Sequence, residues 1–258
     1  KETVEKEKRT LKQRIQSIYD DKIKYANTRL VEEMCKGEKY AVPVYGGLED
    51  VDQITPEKLY AYYEKAFRED ELDLYCVGDV TAEEVESICQ SLFSFPPRTP
   101  ALAGERTVKK DLKEKTVKEV QDVKQGKLHI GFRTNTQYGD PDYFALQVFN
   151  GIYGGFAHSK LFMNVREKAS LAYYAASRLE SHKGLMMVMS GIDQKNFDRT
   201  VAIIKEQMDA MKAGDFTDEE LAQTKAVIKN QMLETIDTPR GLIEVLYHNV
   251  VAKTNISL

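Results

Sequence analysis

Apolar side chains recur at helical spacing at both ends of this chain and alternate with polar ones in between. Leu11, Ile15 and Ile18, then Ala26, Leu30 and Met34, mark one face of a helix from about residue 2 to residue 34, which Gly37 closes. Gly46-Gly47 marks a turn. Thr55-Pro56 places a capping hydroxyl before a proline at the first helical position, and Tyr60, Tyr63 and Phe67 supply the apolar face of the helix it starts. Leu72, Leu74 and Cys76 alternate in a strand pattern that ends at Gly78-Asp79. Thr81-Ala82-Glu83-Glu84 is a capping box, so a helix follows to about Phe93.

Phe95-Pro96-Pro97-Arg98-Thr99-Pro100 is incompatible with a helix or a central strand, and residues 94–116 read as a linker. Strand patterns at 117–123 and 127–134 flank Gln125-Gly126 as a hairpin. Asp140-Pro141 opens a helix through Phe149, Gly151–Gly155 interrupts it, and a helix from Ser159 to Lys168 follows. Strands at 171–179 and 184–191 join through Ser181-His182-Lys183. A helix then spans about 196–212, and a capping box at Thr217-Asp218-Glu219-Glu220 starts a long helix. Thr238-Pro239 breaks that helix before a last piece to about Val251.

The order of elements predicts an α+β fold: a mainly antiparallel sheet covered by helices on one face. A weak internal repeat refines it. Glu7…Lys12-Gln13-Arg14-Ile15 resembles Glu220…Lys225-Ala226-Val227-Ile228, a shift of 213 residues. Two copies of one α/β roll are expected, both truncated here: residues 1–93 close the first, 94–116 link, and 117–258 open the second.

Charge and cysteines narrow the function. A net charge of -4 and a pI near 5.7 argue against a nucleic-acid binder. The most basic stretch, Arg106 to Lys118, is broken by Asp111 and Glu114 and has no aromatics. Cys35, Cys76 and Cys89 form no CxxC pair, which points to a reducing, cytoplasmic setting. The longest strongly apolar run, Leu185 to Met189, is strand-sized, so no membrane span is expected. No secretory leader is visible, although the first residues themselves read as mid-helix.

Chemical motifs are few. His129, His158, His182 and His248 lack zinc-site spacing, and neither HExxH nor its inverse HxxEH occurs, so no metal is expected in this chain. No GxSxG elbow is present. Gly151-x-x-Gly154-Gly155 follows a helix rather than a strand and reads as a tight turn, not a phosphate loop. Met186, Met187 and Met189 read as core filler. The most informative pair is Arg166 and Tyr173, seven residues apart across a helix-to-strand junction. A forked cation and a phenol at such a corner could grip a peptide; equally, Arg166 could pair with a surface carboxylate and Tyr173 could pack in a core.

The string Phe149-Asn150-Gly151, Gly154-Gly155, Ser159-x-Leu161-Phe162, Val165-Arg166-Glu167-Lys168 and Leu171-Ala172-Tyr173 resembles the later domain of the pitrilysin / mitochondrial processing peptidase family, zinc peptidases with the HxxEH motif. The likeness extends to Thr217-x-Glu219-Glu220-Leu221 and back to Ile54-Thr55-Pro56-Glu57 and Val77-Gly78-Asp79. The resemblance implies α+β rolls forming a chamber for unfolded peptides, with zinc in one half and a substrate-binding Arg and Tyr in the other. Those two would be Arg166 and Tyr173. It also implies a third zinc ligand, a Glu seven residues after another Glu on the first helix. Aligning Glu7 with the first puts Arg14 at the ligand position, and a cation cannot ligate zinc. The chain therefore most resembles the non-catalytic subunit of a bacterial heterodimer, whose zinc-bearing partner of the same family would do the cutting. The alternatives are an active zinc peptidase with its motif upstream, or a purely structural scaffold subunit.

Overall fold

A computed structural model describes residues 2–95, 106–110 and 112–254. The proline-rich part of the expected linker, 96–105, lies outside the described residues.

The predicted first helix is two helices, α1 (Glu2–Asp20) and α2 (Lys22–Met34). Asp21 is extended, and its carboxylate accepts from the backbone N–H groups of Ile23 and Lys24. An aspartate that can cap its successors ends one helix and starts the next. Next come α3 (Leu48–Asp52), α4 (Pro56–Glu69) and α5 (Ala82–Leu92). Thr55 caps α4, and Thr81 and Glu84 form the expected capping box on α5. The apolar faces of both helices stay open to solvent: Tyr60, Tyr63, Phe67, Ile88 and Leu92 are all exposed.

Two expected strands are not formed. Residues 72–78 and 117–123 lie outside any sheet. Their alternation is genuine, but a strand exists only where a neighbour takes its N–H and C=O groups, and neither segment has one among the described residues.

The second half is organised by three strands, β1 (Gly126–Arg133), β2 (Ala172–Glu180) and β3 (Leu185–Ile192). They form one antiparallel sheet in the order β1-β3-β2. Central β3 is apolar on both faces, as a doubly covered strand must be. On one face, Leu128, Ala175, Met186, Val188 and Ile192 pack with Ile152, Tyr153, Leu161, Val165 and Ile204. The helices there are α6 (Tyr143–Asn150) and α7 (Phe197–Lys212), with π-helical turns at Gly151–Gly155 and Phe162–Lys168. The helix expected from Ser159 is thus largely a π-helical stretch. The second helical layer continues with α8 (Asp218–Ile236) and α9 (Pro239–Ala252), capped by Thr217 and Thr238.

The sheet's other face is covered too, which corrects the expectation of helices on one face only. α2 lies across β1: a Cβ on Gly131 would strike Met34 Sδ and meet Leu30 Cδ1 at 3.3 Å. Arg133 is anchored at the end of α2 by a bidentate pair with Glu38 and by donation to the Met34 carbonyl at 2.9 Å. With side chains only 5% and 12% exposed, Arg133 and Glu38 form an interior ion pair. It holds the first half of the chain to the second.

Candidate functional site

The corner between Phe162 and Tyr174 is built on buried anchors. Leu161, Val165 and Ser159 are wholly buried, and Leu171 nearly so. Gly154 lets this layer approach β2, since a Cβ there would meet Ser177 Oγ at 2.5 Å, Leu161 Cδ1 at 2.7 Å and the Ser177 amide nitrogen at 2.8 Å. Asn164 donates to Gln207 on α7 at 2.6 Å. The π-helical stretch ends with Ser170 in the left-handed region, φ 49°, and the Leu171 N–H folds back onto the Val165 carbonyl at 3.1 Å. Wide helical turns of this kind are rare and concentrate at functional sites.

Arg166 and Tyr173 flank that fold-back. The Arg166 guanidinium lies over the Phe162 ring, 4.6 Å from its centroid, and Nε is 3.6 Å from Glu167 Oε1. Among the described residues, no protein group accepts a hydrogen bond from its terminal nitrogens. The surface-carboxylate pairing open to Arg166 in the sequence exists, but it is long and engages one edge only.

Tyr173 is 69% exposed, so it does not pack in a core. The reason is a β-bulge. Ala172 pairs with Ile192 and Tyr174 with Gly191, leaving Tyr173 as the extra residue. Strict alternation back from buried Ala175 would put Tyr173 on the core face. The bulge hands that place to Ala172 and turns the Tyr173 phenol outward.

Sequence reading missed three features of this half. Tyr174, behind the corner, has a buried hydroxyl without a hydrogen-bond partner and lies under Lys127, whose Nζ is 5.8 Å from the ring centroid. Burial pushes its phenol pKa up. A Cβ on Gly191 would strike the Tyr174 ring. His129 on β1 has both ring nitrogens buried and unpartnered, and burial lowers its pKa to about 4. Finally, His182 Nε2 and His248 Nδ1 meet at 2.7 Å although 66 residues separate them. No local spacing could have revealed that pair.

The zinc fit is negative. Glu7 and Arg14 are both exposed on α1, and the second position offers a cation where a lone-pair donor is required. Among the described residues, no group of three His, Cys, Asp or Glu side chains could hold a metal ion. Among them too, no helix is long and apolar enough to cross a membrane.

Comparison with known proteins now decides the family. The family model "Peptidase M16 inactive domain" matches residues 53–228. The chain belongs to that family. It is 57% identical over 255 residues to the "Probable inactive metalloprotease YmfF" of Bacillus subtilis, covering 99% of this chain and 60% of that protein. The crystal structure of a conserved protein from Enterococcus faecalis superposes with a TM-score of 0.87 at 36% identity, over 98% of this chain and 60% of that one. The peptidase M16 inactive domain from Pseudomonas fluorescens gives 0.77 at 18% identity, over 99% of this chain and 62% of its own, which speaks to the fold alone. The chain thus spans about 60% of the length of these relatives.

Proposed function

We propose that this M16 chain is the gripping rather than the cutting half of a peptidase assembly. It binds unfolded peptide through Arg166 and Tyr173, while a zinc-bearing subunit of the same family supplies the metal, in the cytoplasm. The observation that carries this reading is the helix–strand corner itself. It presents a cation whose terminal nitrogens lack a protein partner among the described residues and, seven residues on, a phenol that a bulge has turned to solvent. Arg166 would donate to backbone carbonyls of an extended peptide, and Tyr173 would add a second hydrogen bond. The inactive-domain match and the cation at position 14 agree with metal chemistry residing elsewhere.

The domain reading belongs to the same proposal. Residues 1–93 would close one copy of a roll, 94–116 link, and 117–258 open a second. α1 and α8 each have 19 residues, and capped breaks at Asp21 and Thr238 lead to partners of 13 and 14 residues. The bare faces of α4 and α5 suit helices whose own sheet includes further strands.

The test mixes the full-length protein with its zinc-bearing partner and measures peptide cleavage. Arg166→Ala should slow it by on the order of ten- to a hundredfold, the range for losing charge-assisted hydrogen bonds. Tyr173→Phe should cost less. Unchanged rates in both variants would sink the reading.

A further inference from the structure

Arg166 is an exposed, long side chain, yet it is not loose. Within the π-helical stretch Phe162–Lys168, Phe162 stands four residues earlier, and its ring forms a floor 4.6 Å from the Arg166 guanidinium carbon. The floor is fixed. The Phe162 N–H donates to Ser159 Oγ at 3.4 Å, Ser159 is wholly buried, and so are the flanking Leu161 and Val165. Glu167 faces only the Nε edge, at 3.6 Å. The opposite edge, with both terminal nitrogens, has no protein acceptor among the described residues. An arginine without such a floor would sample many rotamers, and a ligand would have to quench that freedom on binding. A guanidinium laid on an aromatic face keeps its plane and its fork.

We propose that Phe162 is a positioning residue for Arg166: its ring presets the guanidinium so that the free edge meets neutral carbonyl oxygens of an extended peptide. The role rests on the peptide-gripping reading above. Glu167 contributes by balancing the cation at the other edge, which favours a neutral acceptor over a carboxylate.

The experiment uses full-length protein and fluorescein-labelled β-casein, an unfolded polypeptide, with affinity read by fluorescence anisotropy. Phe162→Leu keeps apolar bulk but removes the π face, and should weaken binding about threefold. Phe162→Tyr and Phe162→Trp should bind as the parent does. In an Arg166→Ala background the Leu substitution should have no further effect. Independently, the NMR signal of the Arg166 Nε–H should carry a ring-current shift that Phe162→Leu abolishes and Phe162→Trp retains. The dispersion of the backbone amide signals in the same spectrum reports whether the Leu variant remains folded. If Arg166→Ala weakens binding while Phe162→Leu does not, the positioning role is overturned and the peptide-gripping reading stands. If Arg166→Ala leaves binding unchanged, the peptide-gripping reading fails, and the ring-current shift still tells whether the floor exists.

Discussion

α4 and α7 are amphipathic helices of similar length that meet opposite fates. α7, in the second half, buries Ile204, Met208 and Met211 against the sheet and accepts the Tyr153 hydroxyl at the Ile204 carbonyl. α4, in the first half, leaves Tyr60, Tyr63 and Phe67 in solvent, with the last two rings 4.7 Å apart. Both have a coherent apolar stripe, and α4 even has the better N-cap, with Thr55 accepting from the Lys58 N–H where Asn196 at the start of α7 makes no side-chain cap bond. The difference is a sheet: three strands lie beside α7, while the alternating segment 72–78 that follows α4 has no strand to pair with among the described residues. A helical stripe states which face seeks burial; it does not supply the surface that buries it.

Removing the tie between the two halves gives the largest expected effect. Arg133→Ala leaves Glu38 as a buried carboxylate whose other cation, Lys109 at 2.6 Å, replaces only part of the lost contact. Urea unfolding should show a loss of about 3–5 kcal/mol. A loss below 1 kcal/mol would mean the halves are joined by something else.

His129 comes next. Its folded pKa, about 4, lies below the unfolded value of 6.5, so the unfolded chain binds more protons between those limits. Stability is complete above pH 6.5 and falls as pH drops toward 4, by about 3 kcal/mol at most. His129→Gln should flatten that part of the pH–stability curve; an identical slope in the variant would place the titration elsewhere.

Gly154→Ala should cost about 1–3 kcal/mol, because the new methyl meets the Ser177 backbone and Leu161. A neutral result would show that the layer over β2 can shift outward.

The smallest effect sharpens the comparison most. Phe67→Ser should change the stability of this 258-residue chain by under about 0.5 kcal/mol, since the ring is exposed. In the full-length protein, where a sheet would cover α4, the same change should cost about 3–5 kcal/mol. Equal effects in the two contexts would break the proposed domain reading.

Local signals were legible wherever the physics is local. The threonines at 55, 81 and 217 cap helices as their spacing predicts, because a hydroxyl needs only the next turn to find an N–H, and Thr238, read in the sequence only as a break, caps α9 in the same way. Asp21 carried the same signal and was overridden by the helical stripe running through it. Residues 72–78 and 117–123 read as strands, but pairing is a property of two segments. The resemblance pointed to Arg166 and Tyr173; the floor under one and the bulge beneath the other were invisible.

By itself the sequence determined the helices capped at Thr55, Thr81 and Thr217 and the antiparallel β2–β3 hairpin, since each depends on a residue and its near neighbours. Only the tertiary structure decided that α2 crosses the sheet through Arg133 and Glu38, that His182 meets His248, and that Tyr173 faces solvent. The last turns on a single inserted residue. Side chains alternate with period two along a strand, so one bulge reverses which face a tyrosine takes, and the bulge is defined only against the register of β3.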